Sequence, residues 1–315
     1  MPSVDSTIPF IDFSDFGDGT DDAAKEVGAR LYTACRDVGF LYIVGHGIPQ
    51  SEIDCIFKTS KDFFALPQDV KMTAPHPKEA WHHRGYSGIG VEQVSQMVFD
   101  EDKIAEMRGK GADFKESYDM GSEDSHKCPN VWLEDQYLPG LRETCLDFQE
   151  TCKKLEHKVL KALALGMPGV PENFFEEYHS GYDNQLRFLH YPSAPRKVFD
   201  SGEKGRIAAH TDFGTCTFLF QDDCGGLEVE SPHNPGVFLP APPVSGAIVF
   251  NIGDFLMRWS NDELKSTLHR FCSADPERVI DALPGTFSED KPKKYAPITS
   301  REYITMRMNA TYAKY

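Results

Sequence analysis

The sequence predicts a mainly β core buttressed by helices, in the manner of a β-barrel or jelly roll. Three observations carry this. Amphipathic helical patterns dominate the first half of the chain. After Gly181, short strand-like runs follow one another. Clusters of turn-forming residues separate those runs. Helices first and many short strands afterwards suit a closed or double-layered β core with helices packed outside it.

Ile8 to Phe13 reads as a short apolar strand. Asp21 to Val38 reads as a helix, with Val27, Leu31, Ala34 and Val38 on one face. Phe40 to Val44 is a strand, stopped by Gly45-His46-Gly47-Ile48-Pro49. Ser51 to Phe64 is a second helix, ended by Leu66-Pro67. Pro75 to Asn130 mixes Pro, Gly and charge and reads as loops, which at such length tend to carry function. Leu141 to Leu165 is the clearest helix: Leu146, Cys152, Leu155, Val159 and Leu163 form its stripe, and Gly166 with Pro168 ends it. The strand candidates beyond are Leu186–Tyr191, Cys216–Gln221, Leu227–Glu230, Ala247–Ile252 and Lys265–Phe271. Tyr303 to Tyr312 is expected to form a terminal helix.

A chain of 315 residues, 40% apolar and with 22 Phe, has ample material for a packed core. A formal charge of −16 disfavours binding to phosphate backbones and docking on anionic membranes. The eight cysteines include no C-x-x-C pair and no zinc-ribbon spacing, which suits free thiols in a reducing compartment. Met1 to Asp15 lacks the pattern of a signal peptide, and no run is long and apolar enough to span a bilayer. A cytoplasmic location is expected.

His210-Thr211-Asp212 stands just before an apolar run. In extended backbone, residues i and i+2 face the same way, so an imidazole and a carboxylate would share one space. Such a mixed nitrogen and oxygen set with open positions suits Fe(II), given a third ligand from elsewhere. His269, on a later strand candidate, is the best third ligand; His82, His83 and His190 are rivals without a suitably spaced acid beside them.

These residues sit in a wider pattern. Ile8-Pro9-Phe10-Ile11-Asp12-Phe13, the run Val38 to Pro49, Arg84-Gly85-Tyr86 and Lys115-Glu116-Ser117-Tyr118 mark the first half. His210-Thr211-Asp212, Gly253-Asp254-Phe255-Leu256, Trp259-Ser260-Asn261 and Ser266-Thr267-Leu268-His269-Arg270 mark the second. Over nearly its whole length the chain resembles the iron(II)- and 2-oxoglutarate-dependent dioxygenases of the isopenicillin-N-synthase-like group. Asp183-Asn184, Leu186 to Pro192, Leu283 to Phe287 and Asn309 to Tyr312 make it most similar to the fungal thymine-dioxygenase-type branch. The resemblance implies a double-stranded β-helix, a jelly roll. It implies Fe(II) held by His210, Asp212 and His269, with 2-oxoglutarate as cosubstrate and O2 as oxidant. It implies hydroxylation of a small-molecule C–H bond with release of succinate and CO2. It also implies a division into a non-haem dioxygenase N-terminal region (1–130), buttressing helices (131–180), the dioxygenase barrel (181–290) and a C-terminal tail (291–315).

One part of the pattern is absent. The resemblance calls for an Arg-x-Ser strand shortly after the distal histidine, whose arginine grips the far carboxylate of 2-oxoglutarate bidentately. Here Phe271-Cys272-Ser273-Ala274-Asp275-Pro276 leads directly toward the tail motif, so the barrel is expected to lack one strand after His269. Arg278 is the arginine nearest the expected distance and is read either as the cosubstrate cation or as an exposed loop residue. Arg270 neighbours His269 and should face the opposite way. Tyr191 matches a tyrosine that bonds the cosubstrate carboxylate. Three function readings therefore stand: the dioxygenase, a metal-retaining but impaired homologue that acts as a binding or partner protein, and an iron oxidase that does not use 2-oxoglutarate. The gap itself is read as a compensated deletion or as coding sequence lost between the codons of Arg270 and Phe271.

Arg187 lies four residues before Tyr191 and shares its strand face; it is read as a substrate-binding group or as half of a surface salt bridge. Phe218 and Phe220 are read as core in preference to a substrate platform, Trp259 as packing in preference to pocket lining, and Asp254 as a turn residue in preference to a ligand. Arg84 to Tyr86 are expected to close over the site.

Overall fold

In this computed structural model, the described residues are 8–78, 82–92, 114–125, 128–179, 184–193, 207–271, 279–280 and 298–299. The chain divides into two compact units, Met1–Cys272 and Ser273–Tyr315. The expected terminal helix and Arg278 lie outside the described residues.

In chain order the first unit has β1 (Phe10–Asp12), α1 (Asp22–Asp37), β2 (Phe40–Val44), α2 (Gln50–Phe64), α3 (Gln68–Lys71), β3 (Gly85–Ser87) and β4 (Glu116–Met120). There follow α4 (Leu141–Gly166), α5 (Phe174–His179), β5 (Leu186–His190), β6 (Ile207–His210), β7 (Cys216–Leu219) and β8 (Leu227–Glu230). The unit closes with β9 (Phe238–Pro240), β10 (Ala247–Ile252), α6 (Asp254–Trp259) and β11 (His269–Phe271). In the second unit, β12 (Val279–Ile280) pairs antiparallel with β13 (Ile298–Thr299).

Two four-stranded sheets, ordered β1-β2-β10-β7 and β6-β11-β8-β9, form the jelly-roll core. The alternation along β2 shows how they are filled. Phe40 and Tyr42 join Leu227, Val229 and Val249 in a cluster between the sheets. Leu41 and Ile43 point the other way, into the larger cluster with Leu31 of α1 and Val159 and Leu163 of α4. A strand covered on both faces reads as a continuous apolar run, as Phe40-Leu41-Tyr42-Ile43-Val44 does.

Helix α1 begins at Asp21, whose carboxylate accepts from the Ala24 amide at 2.8 Å. It packs on α4 through two glycines. A Cβ on Gly28 would stand 2.6 Å from the Ala162 carbonyl oxygen, and one on Gly166 would stand 2.1 Å from the Gly28 carbonyl oxygen. Only hydrogen in place of a side chain permits that approach.

The region expected to be loops holds β3 and β4, which join β5 in a third sheet ordered β3-β4-β5. The expected strand from Lys265 is shorter, because Lys265 to Thr267 bind the end of α1 instead. The Lys265 amide donates to the Cys35 carbonyl at 3.1 Å, and the Thr267 hydroxyl donates to the Val38 carbonyl at 2.6 Å. Among the described residues, β5 and β7 each end their sheets.

Candidate metal centre

Strand β6 delivers His210 as its last residue, directly opposite His269 of β11. The sequence suggested an extended run through Asp212. In the structure the strand stops at His210, and Asp212 stands in the bend toward β7. The bend is held from behind by the junction of β10 and α6. The Gly253 amide donates to the Thr215 carbonyl at 3.0 Å and the Asp254 amide to the Asp212 carbonyl at 2.7 Å. The Thr211 hydroxyl donates to Asp254 Oδ2 at 2.9 Å. Asp254, expected to be a turn residue, is the first residue of α6 and anchors this bend. Gly253 has no room for a side chain: a Cβ there would lie 2.2 Å from the Gly214 carbonyl oxygen.

His210, Asp212 and His269 place one ligand atom each within 4.8 Å of one another, and they are the one such group among the described residues. Asp212 Oδ1 lies 3.8 Å from His210 Nε2 and 3.6 Å from His269 Nε2. Asp212 Oδ2 is turned away and accepts from Thr217 Oγ1 at 2.6 Å and Asn251 Nδ2 at 2.7 Å. Burial alone would raise the Asp212 pKa, but the His269 charge, the Thr217 and Asn251 donors and the His210 charge hold it below the usual range. The carboxylate is therefore ionised.

His269 is oriented by its own neighbourhood. Its Nδ1 lies 3.2 Å from the Thr267 carbonyl oxygen. A carbonyl only accepts, so Nδ1 carries a proton, and Nε2 is the ring nitrogen turned toward Asp212 Oδ1 and placed to serve as a ligand atom. The ring packs on Phe40, with centroids 5.0 Å apart. Since Thr267 is tied to the end of α1, that helix helps to aim the imidazole. Two imidazole nitrogens and one carboxylate oxygen gathered in this way suit Fe(II).

The remaining candidates fall elsewhere. The Tyr191 ring stacks on Phe271, two residues beyond His269, at 5.2 Å. Arg187 is gripped by Asp119, Nε to Oδ1 at 2.5 Å and an Nη to Oδ2 at 2.9 Å, and by Glu92 at 3.2 Å. Lys115 reaches the same Glu92 at 2.7 Å. Burial pushes Glu92 up, but Arg187 and Lys115 outweigh it and bring it down to about 2. Arg270 faces away from the triad, bound to Glu228 at 2.7 Å and lying 4.0 Å above the Phe238 ring centroid. His190 donates from Nδ1 to Glu116 at 2.7 Å and stands outside the metal group. His82 and His83 also stand outside it.

Phe218 packs on Phe250 and Phe220 on Phe148, while Trp259 joins Phe174, Phe175, Tyr178 and Phe255. Arg84 and Tyr86, expected to close over the site, are buried, and the Tyr86 hydroxyl bonds Glu116 at 2.5 Å. Arg84 Nη1 donates to the His83 carbonyl at 2.9 Å. Sequence reasoning missed Thr217 and Asn251. Their one signal is polarity within otherwise apolar strands, Cys-Thr-Phe-Leu and Ala-Ile-Val-Phe-Asn-Ile.

The comparisons with known proteins agree with this geometry. Residues 8–135 match the N-terminal domain of non-haem dioxygenases in morphine synthesis, and residues 182–282 match the 2OG-Fe(II) oxygenase superfamily. The chain is 40% identical to the proline hydroxylase buaE of Petromyces alliaceus over 262 residues, covering 82% of this chain and 79% of that protein. It is 35% identical to the 2-oxoglutarate-dependent dioxygenase frbA of Dothideomycetidae sp. (strain 11243), covering 97% of each. That alignment runs over 332 positions against 315 residues here, so the relative carries residues that this chain lacks. Full-length Neurospora crassa T7H, in complex with alpha-KG and thymine, superposes with a TM-score of 0.74 at 37% identity, covering 97% of each chain. The chain belongs to the 2OG-Fe(II) oxygenase superfamily, whose members use Fe(II), 2-oxoglutarate and O2.

Proposed function

We propose that His210, Asp212 and His269 hold Fe(II), and that the protein hydroxylates a C–H bond of a small molecule. The observation that carries this is the convergence of His210 Nε2, His269 Nε2 and Asp212 Oδ1 on one space. Iron(II) with 2-oxoglutarate and O2 supplies the oxidation: the cosubstrate is decarboxylated to succinate and CO2, and one oxygen atom enters the substrate. The chain's own groups do the rest. Thr267 fixes the His269 tautomer, and the β10–α6 junction fixes Asp212. We assign Tyr191 to a carboxylate of the cosubstrate, supported by its stacking on Phe271 beside His269. Arg278 is assigned as the cation for the far carboxylate, on sequence distance alone. Arg187, held by Asp119 and Glu92, is assigned to a polar wall for substrate.

The division into 1–130, 131–180, 181–290 and 291–315 stands as the proposed organisation, supported by the two family matches. A cytoplasmic location is proposed on the seven described free cysteines. Among the described residues, no helix is long and apolar enough to cross a membrane.

The experiment is to load the protein with Fe(II) anaerobically, add 2-oxoglutarate, admit O2 and measure succinate. Succinate is expected, and its absence with a panel of small-molecule candidates counts against the reading. His210→Ala and Asp212→Ala should each lose stoichiometric iron. One sequence fact favours a second reading: no Arg-x-Ser follows His269. Stoichiometric iron without succinate would then point to an impaired binding or partner protein, or to an oxidase that does not use 2-oxoglutarate.

A further inference from the structure

The Asp212 carboxylate has two oxygens with separate surroundings. Oδ1 faces the imidazoles at 3.6 and 3.8 Å. Oδ2 accepts from Thr217 Oγ1 at 2.6 Å and from Asn251 Nδ2 at 2.7 Å. Those two bonds occupy both lone-pair directions of Oδ2. Because an ionised carboxylate only accepts, both contacts are donations to it, and Asn251 must present its NH2.

The donors are fixed relative to each other. Thr217 of β7 and Asn251 of β10 are direct cross-strand partners in an antiparallel ladder. Their side chains therefore leave the same face at adjacent positions and meet on one oxygen. Asn251 is 2% exposed, so its amide has no water to turn to. Behind Asp212, the Asp254 amide holds the carbonyl of the same residue at 2.7 Å. Thus the main chain and one carboxylate oxygen are both pinned, and one oxygen remains directed at the metal space.

We propose that Asn251 and Thr217 are positioning residues that restrict Asp212 to one-oxygen ligation. This rests on the assignment of His210, Asp212 and His269 as ligands. A carboxylate free to turn offers a cation both oxygens, and a hard divalent ion accepts either mode. The difference matters by one coordination position. Three single-atom protein ligands leave three places on a six-coordinate ion, enough for a two-atom cosubstrate and one further ligand. A two-oxygen carboxylate leaves two, and the cosubstrate would fill them. To bind with both oxygens, Asp212 must break its bonds to Thr217 and Asn251 together, leaving a buried amide and a hydroxyl without an acceptor.

The test uses the full chain loaded with Mn(II), counting exchangeable metal-bound waters from the broadening of the manganese resonance in oxygen-17 water. Three waters are expected for the wild type and one after 2-oxoglutarate is added. The double variant Thr217→Val with Asn251→Leu is expected to show two waters, falling to none with the cosubstrate. Thr217→Ser keeps the hydroxyl and should keep three. If the double variant does not fold, as judged by circular dichroism, Thr217→Val alone is read, and a mixture of two- and three-water sites is expected. Three waters in every variant that folds would overturn the positioning role while leaving the ligand assignment standing. Failure of the wild type to bind one Mn(II) per chain would overturn the assignment and this role together.

Discussion

Asp212 shows what the proposed carboxylate ligand requires of a single residue: ionisation, a fixed main chain and one committed oxygen. Gly253 supplies part of the second requirement by its lack of a side chain. In Gly253→Ala, the new methyl would press on the Gly214 carbonyl, which is backbone and cannot swing aside. We expect a loss of about 2–3 kcal/mol in chemical denaturation and a drop in bound iron below one per chain. Unchanged stability would show that the bend yields more easily than its contacts indicate. At this scale the proposed ligands were legible through the motifs around them, because H-x-D spacing alone left His82, His83 and His190 as rivals to His269. Thr217 and Asn251 were not. Asn251 lies 39 residues from Asp212 along the chain and reaches it only through the register of β7 on β10.

At the scale of the element, the β3-β4-β5 sheet is held by charge as much as by apolar packing. Glu116 accepts from Lys71 at 2.8 Å, from Tyr86 and from His190. Burial pushes its pKa up, but those three hydrogen bonds outweigh burial and take it from 4.5 down to about 2. A carboxylate depressed on folding stabilises the native state above its ordinary value, and that stability is lost as pH falls from about 4.5 toward 2. Glu116→Gln should lose on the order of 3 kcal/mol at pH 7 and should show a shallower decline between pH 5 and pH 3. Urea titrations at the three pH values check both, and an equally steep acid decline in the variant would remove Glu116 from the account. The same chemistry explains why β4 was read as loop. Glu-Ser-Tyr-Asp-Met carries two acids in five residues, and only its partners on other elements make those acids tolerable in a strand. Helix α4 and strand β2, whose partners are generic apolar surface, were read almost to the residue.

At the scale of the whole molecule, the segment after His269 departs from the family pattern. Among the described residues β5 and β7 end their sheets, and the sequence after His269 lacks the Arg-x-Ser arginine that the family resemblance calls for. Inserting a strand segment that carries Arg-x-Ser between Arg270 and Phe271 should tighten 2-oxoglutarate binding by about tenfold or more, the scale of a restored buried charge pair. Calorimetry on the Mn(II) form measures this, and an unchanged affinity would mean that another cation already does the work.

The glycine crossing of α1 and α4 reaches further than packing. The end of α1 grips Thr267, and Thr267 sets the His269 ring. Gly28→Ala would lever α1 outward at a point remote from the metal, and the strain would arrive at the imidazole. Such a variant should behave as a heat-sensitive allele: competent when cool, and shedding its iron on warming before the fold itself gives way.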